Sequence, residues 1–286
     1  FLIRKGGGAP LAECWFIFFD REAVTGRKVS AWKQIIGDDD WRIDKEDPVI
    51  SMGDNVLSRE RSAGNLADGA AQWDFRFSSS SPSMIVSPSF SRSPLLPTTK
   101  LTSPVPEGFA SGELTVGENR FEFTDYPLNV GHNWGHFHSS AYTWAQARMF
   151  GEGKGFFFEG ASLSVGSRHL TLGKVLLDGE EISFAGPRCW LNAKADVSIG
   201  SWQFEMQNRN WLLNGSFTLD PEYVAGLKYV QPNGRIKSCL NSMISNARFD
   251  LSQRRKGGSS IAFVVDGTAA LEHLTPDLSQ QFEMLA

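Results

Sequence analysis

Short runs of alternating apolar and polar residues, separated by turn sequences, are the feature that most constrains the fold of this 286-residue chain. In residues 71–77, for example, Trp73, Phe75 and Phe77 share one face opposite charged side chains, which is typical of a half-buried strand. Hairpin-type turns recur at Asp178-Gly179, Asn214-Gly215, Asn233-Gly234 and Asp266-Gly267. No long window has the 3.6-residue period of a helix. The sequence therefore predicts an all-β fold of antiparallel barrels or sandwiches.

A segment rich in serine and proline divides the chain. Residues 78–106 contain only short apolar islands, which is typical of a long irregular crossing between two structural units. We therefore expect two β domains, an N-terminal domain over residues 1–110 and a C-terminal domain over residues 111–286.

One short helix is expected at the C-terminus, between Leu274 and Leu285. Thr275 fits the N-cap position of such a helix, and Pro276 fits the first helical position. The rest of the chain lacks comparable helix signals.

The overall composition limits the partners and the compartment. A net charge of -4, with both signs interspersed, provides no basic surface for a phosphate backbone, so we expect no nucleic-acid partner. No run approaches the roughly 20 apolar residues of a membrane helix, so we expect no transmembrane segment.

The three cysteines lack zinc-site spacing, which favours buried thiols and leaves a single disulfide open. We expect a soluble, cytoplasmic protein; a targeting peptide removed from the N-terminus is the alternative.

An aromatic and histidine-rich segment, residues 131–138, is the strongest candidate for a binding site. Nine Trp and 21 Phe in the chain already indicate aromatic surfaces that suit an apolar ligand. As an extended strand the segment sets four ring side chains on one face and Asn133 on the other. These four are His132, Trp134, His136 and His138. Such a face is typical of a pocket wall and not of an ordinary core.

The next two strands add a candidate acid. Trp144 and Gln146 share a face of the first strand, and Phe157 and Glu159 share a face of the second. A glutamate in a Phe-rich run has a raised pKa if it is buried without a cation, because burial penalises the charged form. Glu159 would then be a usable proton donor near neutral pH. The alternative is that Glu159 faces solvent or pairs with Arg148.

A metal site is the weaker interpretation of the histidines. The spacing of His136 and His138 allows a strand to offer two imidazoles to one ion. However, residues 139–146 contain no carboxylate to complete the set. We therefore expect hydrogen-bonding histidines, no metal and no other cofactor.

The Gly131-His132-Asn133-Trp134-Gly135 motif, followed by Trp144-Ala145-Gln146, resembles tocopherol cyclase-like proteins and the carotenoid hydratases (hydroxyneurosporene synthases). The resemblance extends over residues 107–190 and includes the hairpin 177–184. It implies two lipocalin-like domains packed side by side, with a cavity for an isoprenoid or comparably apolar substrate. In these families a carboxylic acid protonates an alkene, and the cation is captured by water in hydratases or by an internal phenol in cyclases.

The resemblance also implies residue roles. His132 and Trp134 match the hydratase His-x-Trp motif, and Glu159 matches the position of the acid, while Phe157 stands where hydratases have a tyrosine. Glu159 is therefore the candidate acid, and His132 is the group that orients it or restores its proton. The expected substrate-binding side chains are Asn133, Trp134, His136, His138, Trp144, Gln146 and Phe157.

The combined hypothesis is a cofactor-independent cyclase (an isomerase) or hydratase (a hydro-lyase) that acts on an apolar small molecule. The protein would reach a lipid substrate at most by peripheral contact with a membrane. Two alternatives share the fold. One is a pericyclic cyclase of natural-product biosynthesis, which holds a reactive conformer. The other is a non-catalytic lipid or pigment carrier. A metal-dependent β-barrel oxygenase is a third and weaker alternative.

Overall fold

The structure, a computed structural model, describes eleven segments of the chain. They are residues 1–4, 11–23, 26–37, 39–44, 49–87, 100–135, 141–149, 155–165, 168–230, 235–275 and 282–285. These residues form three antiparallel sheets and one short α-helix. Within the described segments, no helix has both the length and the apolar character needed to cross a lipid bilayer.

The first two sheets come from the N-terminal part of the chain. Sheet 1 has the order β1-β2-β3, and its strands are β1 (Leu2–Arg4), β2 (Leu11–Phe19) and β3 (Val29–Ile36). The strands of sheet 2 are β4 (Trp41–Ile43), β5 (Ile50–Met52), β6 (Asn55–Leu57), β7 (Arg61–Leu66), β8 (Ala71–Ser79), β9 (Met84–Ile85), β10 (Lys100–Val116) and β11 (Asn119–Trp134). Sheet 2 has the order β11-β10-β8-β7-β6-β5-β4, with β9 paired to β10.

Sheet 3 contains the remaining ten strands. They are β12 (Tyr142–Met149), β13 (Phe156–Val165), β14 (Arg168–Leu177), β15 (Glu180–Ser183), β16 (Lys194–Ser198), β17 (Ser201–Gln207), β18 (Trp211–Thr218), β19 (Ala225–Val230), β20 (Ile236–Gln253) and β21 (Ser260–Thr275). The order is β15-β14-β13-β12-β21-β20-β18-β17-β16, and β19 pairs with β20. The helix α1 (Pro187–Asn192) lies between β15 and β16.

An aromatic core fills one face of sheet 3. The ring of Phe158 lies 5.3 Å from Phe204, 5.1 Å from Phe249 and 5.8 Å from Phe217, measured between centroids. Each of these side chains is buried. Burial of one such ring contributes about 1.5–3 kcal/mol, so this cluster is a main source of stability for the curled sheet.

The strand β13 is buried on both faces. Phe158 points into the aromatic core, and alternation turns Phe157 and Glu159 to the opposite face. There Phe157 packs against Met84 and Val86 of the N-terminal part of the chain. Glu159 is therefore enclosed between sheet 2 and sheet 3.

The predicted all-β fold class is confirmed. The sheets are antiparallel and curl into a half-barrel, in agreement with a lipocalin-like arrangement of two domains. The three cysteines, Cys14, Cys189 and Cys239, are buried and free of disulfide bonds.

None of the described residues within the expected C-terminal helix, which are Leu274, Thr275 and residues 282–285, is helical. Leu274 and Thr275 continue β21, in register with Cys239 and Ser238 of β20. The long pairing with β20 and the complete burial of Leu274 hold this segment extended. The helix that does form, α1, has Pro187 at its first position and follows Gly186. The residues between 276 and 281 lie outside the described segments.

The serine- and proline-rich segment is in part regular structure. β9 and the first residues of β10 lie within it, and residues 88–99 fall outside the described segments. Residue 110 lies inside β10, whose sheet continues to Trp134, and sheet 3 begins at Tyr142. The division into two domains stays a proposal, and this topology supports a boundary between residues 134 and 142.

Candidate functional site

The carboxyl group of Glu159 is the centre of the candidate site. Its side chain has no accessible surface. The indole Nε1 of Trp144 donates a hydrogen bond of 3.0 Å to Oε1, and the hydroxyl of Ser103 donates to Oε2. Among the described residues no cation pairs with this carboxyl group. Glu159 is thus a buried acid with neutral hydrogen-bonding partners.

Burial and hydrogen bonding act on the pKa of Glu159 in opposite directions. Burial raises the pKa of Glu159 above its ordinary value, because the charged form loses its hydration. The hydrogen bonds from Ser103 and Trp144 stabilise the carboxylate and act in the opposite direction, but the effect of burial is larger. The arrangement favours a neutral carboxylic acid that can act as a proton donor.

A β-bulge brings Ser103 to this acid. Thr102 pairs with His132 and Val105 pairs with Val130, so two residues of β10 oppose the single residue Gly131. Such bulges re-aim side chains, and Ser103 here points at sheet 3 and is fully buried. The backbone of β11 also comes close, because a Cβ atom on Gly131 would lie 4.0 Å from Oε1 of Glu159.

Three of the predicted binding residues surround Glu159. Gln146 is its direct cross-strand neighbour on β12, and Trp144 is the hydrogen-bond donor. Phe157 lies two residues before Glu159 on the same face of β13. Trp144 and Gln146 are half-buried, whereas Phe157 is completely buried. The surface open to a ligand is therefore formed by Trp144 and Gln146.

The expectation that His132 and Trp134 face the same cavity as Glu159 is not met in this structure. The two rings stack on each other with centroids 5.1 Å apart, but both side chains are exposed, Trp134 to 44%. Alternation along β11 turns Gly131 toward Glu159 and therefore turns His132 to the opposite face. His132 makes no hydrogen bond to Glu159 in the described segments.

The other residues of the histidine-rich segment do not contribute to this geometry. Asn133 is exposed near the end of β11, opposite Leu101 of β10. His136 and His138 lie outside the described residues. Within those residues, no group of three or more His, Cys, Asp or Glu side chains is arranged to hold a metal ion.

Arg148 is not the partner of Glu159. Its guanidinium donates to the carbonyl oxygen of Gly108 at 2.9 Å and to that of Leu128 at 3.3 Å, and it lies 4.0 Å from a carboxylate oxygen of Glu107. Burial lowers the pKa of Arg148 to about 10. The side chain joins β12 to β10 and β11, so it connects sheet 3 to sheet 2.

A second acid, the half-buried Glu272, was missed from the sequence. It lies on β21, where the hydroxyl of Tyr142 donates to Oε1 and Nδ2 of Asn241 donates to Oε2 at 3.3 Å. Burial raises the pKa of Glu272. The same signal that marks Glu159, an acid within an apolar run, is present in residues 269–274.

A sequence model of the tocopherol cyclase-like family matches residues 104–274, which is more than half of the chain. The chain belongs to this family. The match includes Trp144, Glu159 and Glu272, and it extends well beyond the segment on which the resemblance was recognised. Among curated proteins, no sequence matches this member of the family.

The fold of this tocopherol cyclase-like protein is shared by one of two similar solved structures. Kievitone hydratase from Nectria haematococca matches with a TM-score of 0.59 at 9% sequence identity, over 97% of this chain and 83% of the hydratase. A protein from Nitrosomonas europaea assigned to the AttH group matches with a TM-score of 0.49 at 10% identity, over 96% of this chain and 89% of its own. At 9% identity the match to kievitone hydratase establishes the fold alone.

Proposed function

We propose that this protein is a cofactor-independent cyclase or hydratase in which Glu159 protonates an alkene of an apolar substrate. The observation that carries the proposal is the buried carboxyl group of Glu159, whose described partners, Ser103 and Trp144, are both neutral. Membership of the tocopherol cyclase-like family and the fold shared with a hydratase support an enzyme of this type.

The two partners of Glu159 suit a proton donor. The indole of Trp144 can only donate, so it occupies Oε1 and leaves Oε2 as the oxygen that carries the proton. The hydroxyl of Ser103 can donate to a carboxylate or accept from a carboxylic acid, so it serves both protonation states. Because Glu159 has no accessible surface in this structure, the substrate must displace the Ser103 hydroxyl from Oε2 to reach the proton.

The surroundings suit the cation that alkene protonation creates. The Trp144 residue is half-buried, and a carbocation above its ring would be attracted by the electron-rich π-system. The buried apolar side chains around Phe157 keep water from capturing the cation early. Gln146, directly opposite Glu159, can orient a polar group of the substrate. An isoprenoid-like substrate, with a trisubstituted alkene, matches these requirements.

A non-catalytic carrier is the second candidate. Two observations favour it. Both oxygens of Glu159 are engaged by hydrogen bonds, and His132 points away from the acid. A carrier would bind the same apolar molecules at Trp144 without turnover. The two candidates are distinguished by whether the protein transfers a proton to carbon.

The test uses ortho-prenylphenol, a phenol with a trisubstituted alkene side chain, in heavy water. Mass spectrometry of the recovered probe measures deuterium that enters at the alkene carbons. We expect the wild-type protein to incorporate deuterium and the nearly isosteric Glu159→Gln variant to lose at least 100-fold of this rate, in line with the typical contribution of a general acid of about 10²–10⁴.

The matched control is Glu113→Gln, which changes an exposed glutamate of β10 that pairs with Arg120. It should keep the wild-type rate. Equal rates for wild-type and Glu159→Gln proteins would remove Glu159 from the mechanism. Binding of the probe without any incorporation by the wild-type protein would favour the carrier.

A further inference from the structure

A second acid, the half-buried Glu272, lies on the same face of sheet 3 as Glu159. Trp144 is paired directly with Glu272 across β12 and β21, and its indole nitrogen bonds to Glu159. Directly paired residues of antiparallel strands project from the same face. Trp144 therefore stands between the buried carboxyl group of Glu159 and the half-buried carboxyl group of Glu272.

The separation of the two acids suits a bound molecule of moderate size. Glu159 on β13 and Glu272 on β21 are separated by the strand β12. Along the strands they are offset by two residues, because Glu159 pairs with Gln146 and Glu272 pairs with Trp144. Strand spacings of about 4.8 Å and rises of about 3.4 Å per residue then place their Cα atoms about 12 Å from each other. Tyr142 and Glu272 are half-buried, as Trp144 is, so all three keep some surface that a ligand on this face can contact.

The two acids are held by different donors. Glu272 is held by two donors, which are the hydroxyl of Tyr142 and the amide of Asn241. Glu159 also has two donors. The hydroxyl of Tyr142 can accept a proton while it donates its own to Glu272, so the pair can relay a proton to the carboxylate.

We infer that Tyr142, backed by Glu272, accepts the proton of the hydroxyl group that captures the cation. This inference rests on the proposed function of Glu159 and extends it to the second step of the reaction, the capture of the cation by a hydroxyl group. Tyr142 contacts the nucleophile, and Glu272 is a positioning residue that acts through the tyrosine hydroxyl. The substrate is then an apolar alkene whose cation is trapped by an O–H group, supplied either by the substrate itself or by water.

The reaction balances without an oxidant or a reductant. Glu159 transfers its proton to one alkene carbon, and the π electrons form the new C–H bond and leave a cation on the other carbon. A lone pair of the nucleophilic hydroxyl forms the C–O bond. Its proton passes to the oxygen of Tyr142 while the proton of Tyr142 passes to the carboxylate of Glu272. Exchange with water then returns Glu272 to the carboxylate and Glu159 to the acid.

The experiment compares two products of ortho-prenylphenol in heavy water. Deuterium at the alkene carbons reports proton transfer from Glu159, and the ring-closed ether reports capture of the cation. For Tyr142→Phe and for Glu272→Gln, we expect the ratio of ring closure to deuterium incorporation to fall at least tenfold, because the cation forms and reverts without capture. Water enriched in heavy oxygen identifies the source of the hydroxyl, since only hydration introduces the label.

The matched control is Tyr229→Phe. This tyrosine is also half-buried, but its ring packs edge-on against Trp15 at 5.6 Å and its hydroxyl bonds to Cys239 instead of Glu272. It should keep the wild-type ratio within about twofold. Thermal unfolding verifies the fold of each variant, and Glu272→Gln decides the question if Tyr142→Phe does not fold.

The outcomes separate this inference from the proposed function. Wild-type ratios in both Tyr142→Phe and Glu272→Gln, together with loss of all deuterium incorporation in Glu159→Gln, would overturn the inference and leave the role of Glu159 intact. Absence of deuterium incorporation by the wild-type protein would overturn the role of Glu159 and the inference with it.

Discussion

Trp144 and Glu159 lie on neighbouring strands and are joined by a 3.0 Å hydrogen bond from the indole nitrogen to Oε1. The bond stabilises the carboxylate form of Glu159 and so opposes the rise in pKa that burial causes. One residue therefore supplies both an aromatic face for a substrate and a group that limits how far the pKa of the acid rises.

Replacement of Trp144 by Phe should raise the pKa of Glu159 further. Phe keeps an aromatic ring at this position but has no N–H group, so the carboxylate loses one of its two donors. Infrared titration of the carboxyl C=O band measures the change, and the Glu159→Gln variant, which lacks this band, identifies it. An unchanged or lower pKa in Trp144→Phe would contradict the role given to the indole.

Replacement of Ser103 by Ala should destabilise the protein modestly and raise the pKa of Glu159. The variant leaves a buried carboxyl oxygen without its hydroxyl partner, which costs about 1–3 kcal/mol. Urea unfolding measures this cost. Ser111→Ala is the control on the same strand, because the Ser111 hydroxyl only accepts an exposed bond from the backbone of Asp125. Equal stability of the two variants would contradict the buried contact.

The stability of the protein should depend on pH because burial raises the pKa of Glu159. Burial raises the pKa of Glu159 in the folded protein above the ordinary glutamate value of 4.5. The folded protein then holds a proton that the unfolded chain has lost, so the contribution of this group is complete below 4.5 and is lost as the pH rises toward the raised pKa.

The Glu159→Gln variant tests whether the contribution of Glu159 to stability is lost as the pH rises. Its amide can accept from Trp144 and donate to Ser103, so it keeps both bonds and does not titrate. Relative to the wild-type protein, the variant should therefore gain stability in urea unfolding over the pH range from 4.5 up to the raised pKa of Glu159. A constant difference across this range would show that the pKa of Glu159 is not raised.

Local alternation explains the part of the site that the sequence predicted. Trp144 and Gln146 lie on one strand of a hairpin and Phe157 and Glu159 on the other, so the period of two residues was enough to place them on one face. Alternation also paired His132 with Trp134 correctly. It could not decide which face of β11 packs against sheet 3, because that depends on the partner sheet.

The missed residues come from distant parts of the chain. Ser103 is 56 positions before Glu159 and reaches it only through a bulge in a different sheet. Glu272 is 130 positions after Tyr142, and their bond requires β12 and β21 to be neighbours. Strand order of this kind is set by the packing of the whole sheet, so no local pattern predicts it.

Arg148 should contribute to stability because it joins sheet 2 to sheet 3. Replacement by Met keeps the aliphatic part of the side chain but leaves the carbonyl groups of Gly108 and Leu128 without their donor. The loss of unfolding free energy should be about 2 kcal/mol or more. The unfolding free energy of Arg148→Lys should lie between those of the wild-type protein and Arg148→Met, since one ammonium group does not reproduce the fork of the guanidinium.

Arg120→Met provides the comparison for Arg148. Arg120 pairs with Glu113 and Glu122 on the exposed surface of sheet 2, where ion pairs contribute little. Urea unfolding of both variants should therefore separate them clearly, with Arg120→Met close to the wild-type protein. If Arg148→Met were as stable as Arg120→Met, the guanidinium would not be what holds β12 against β10 and β11.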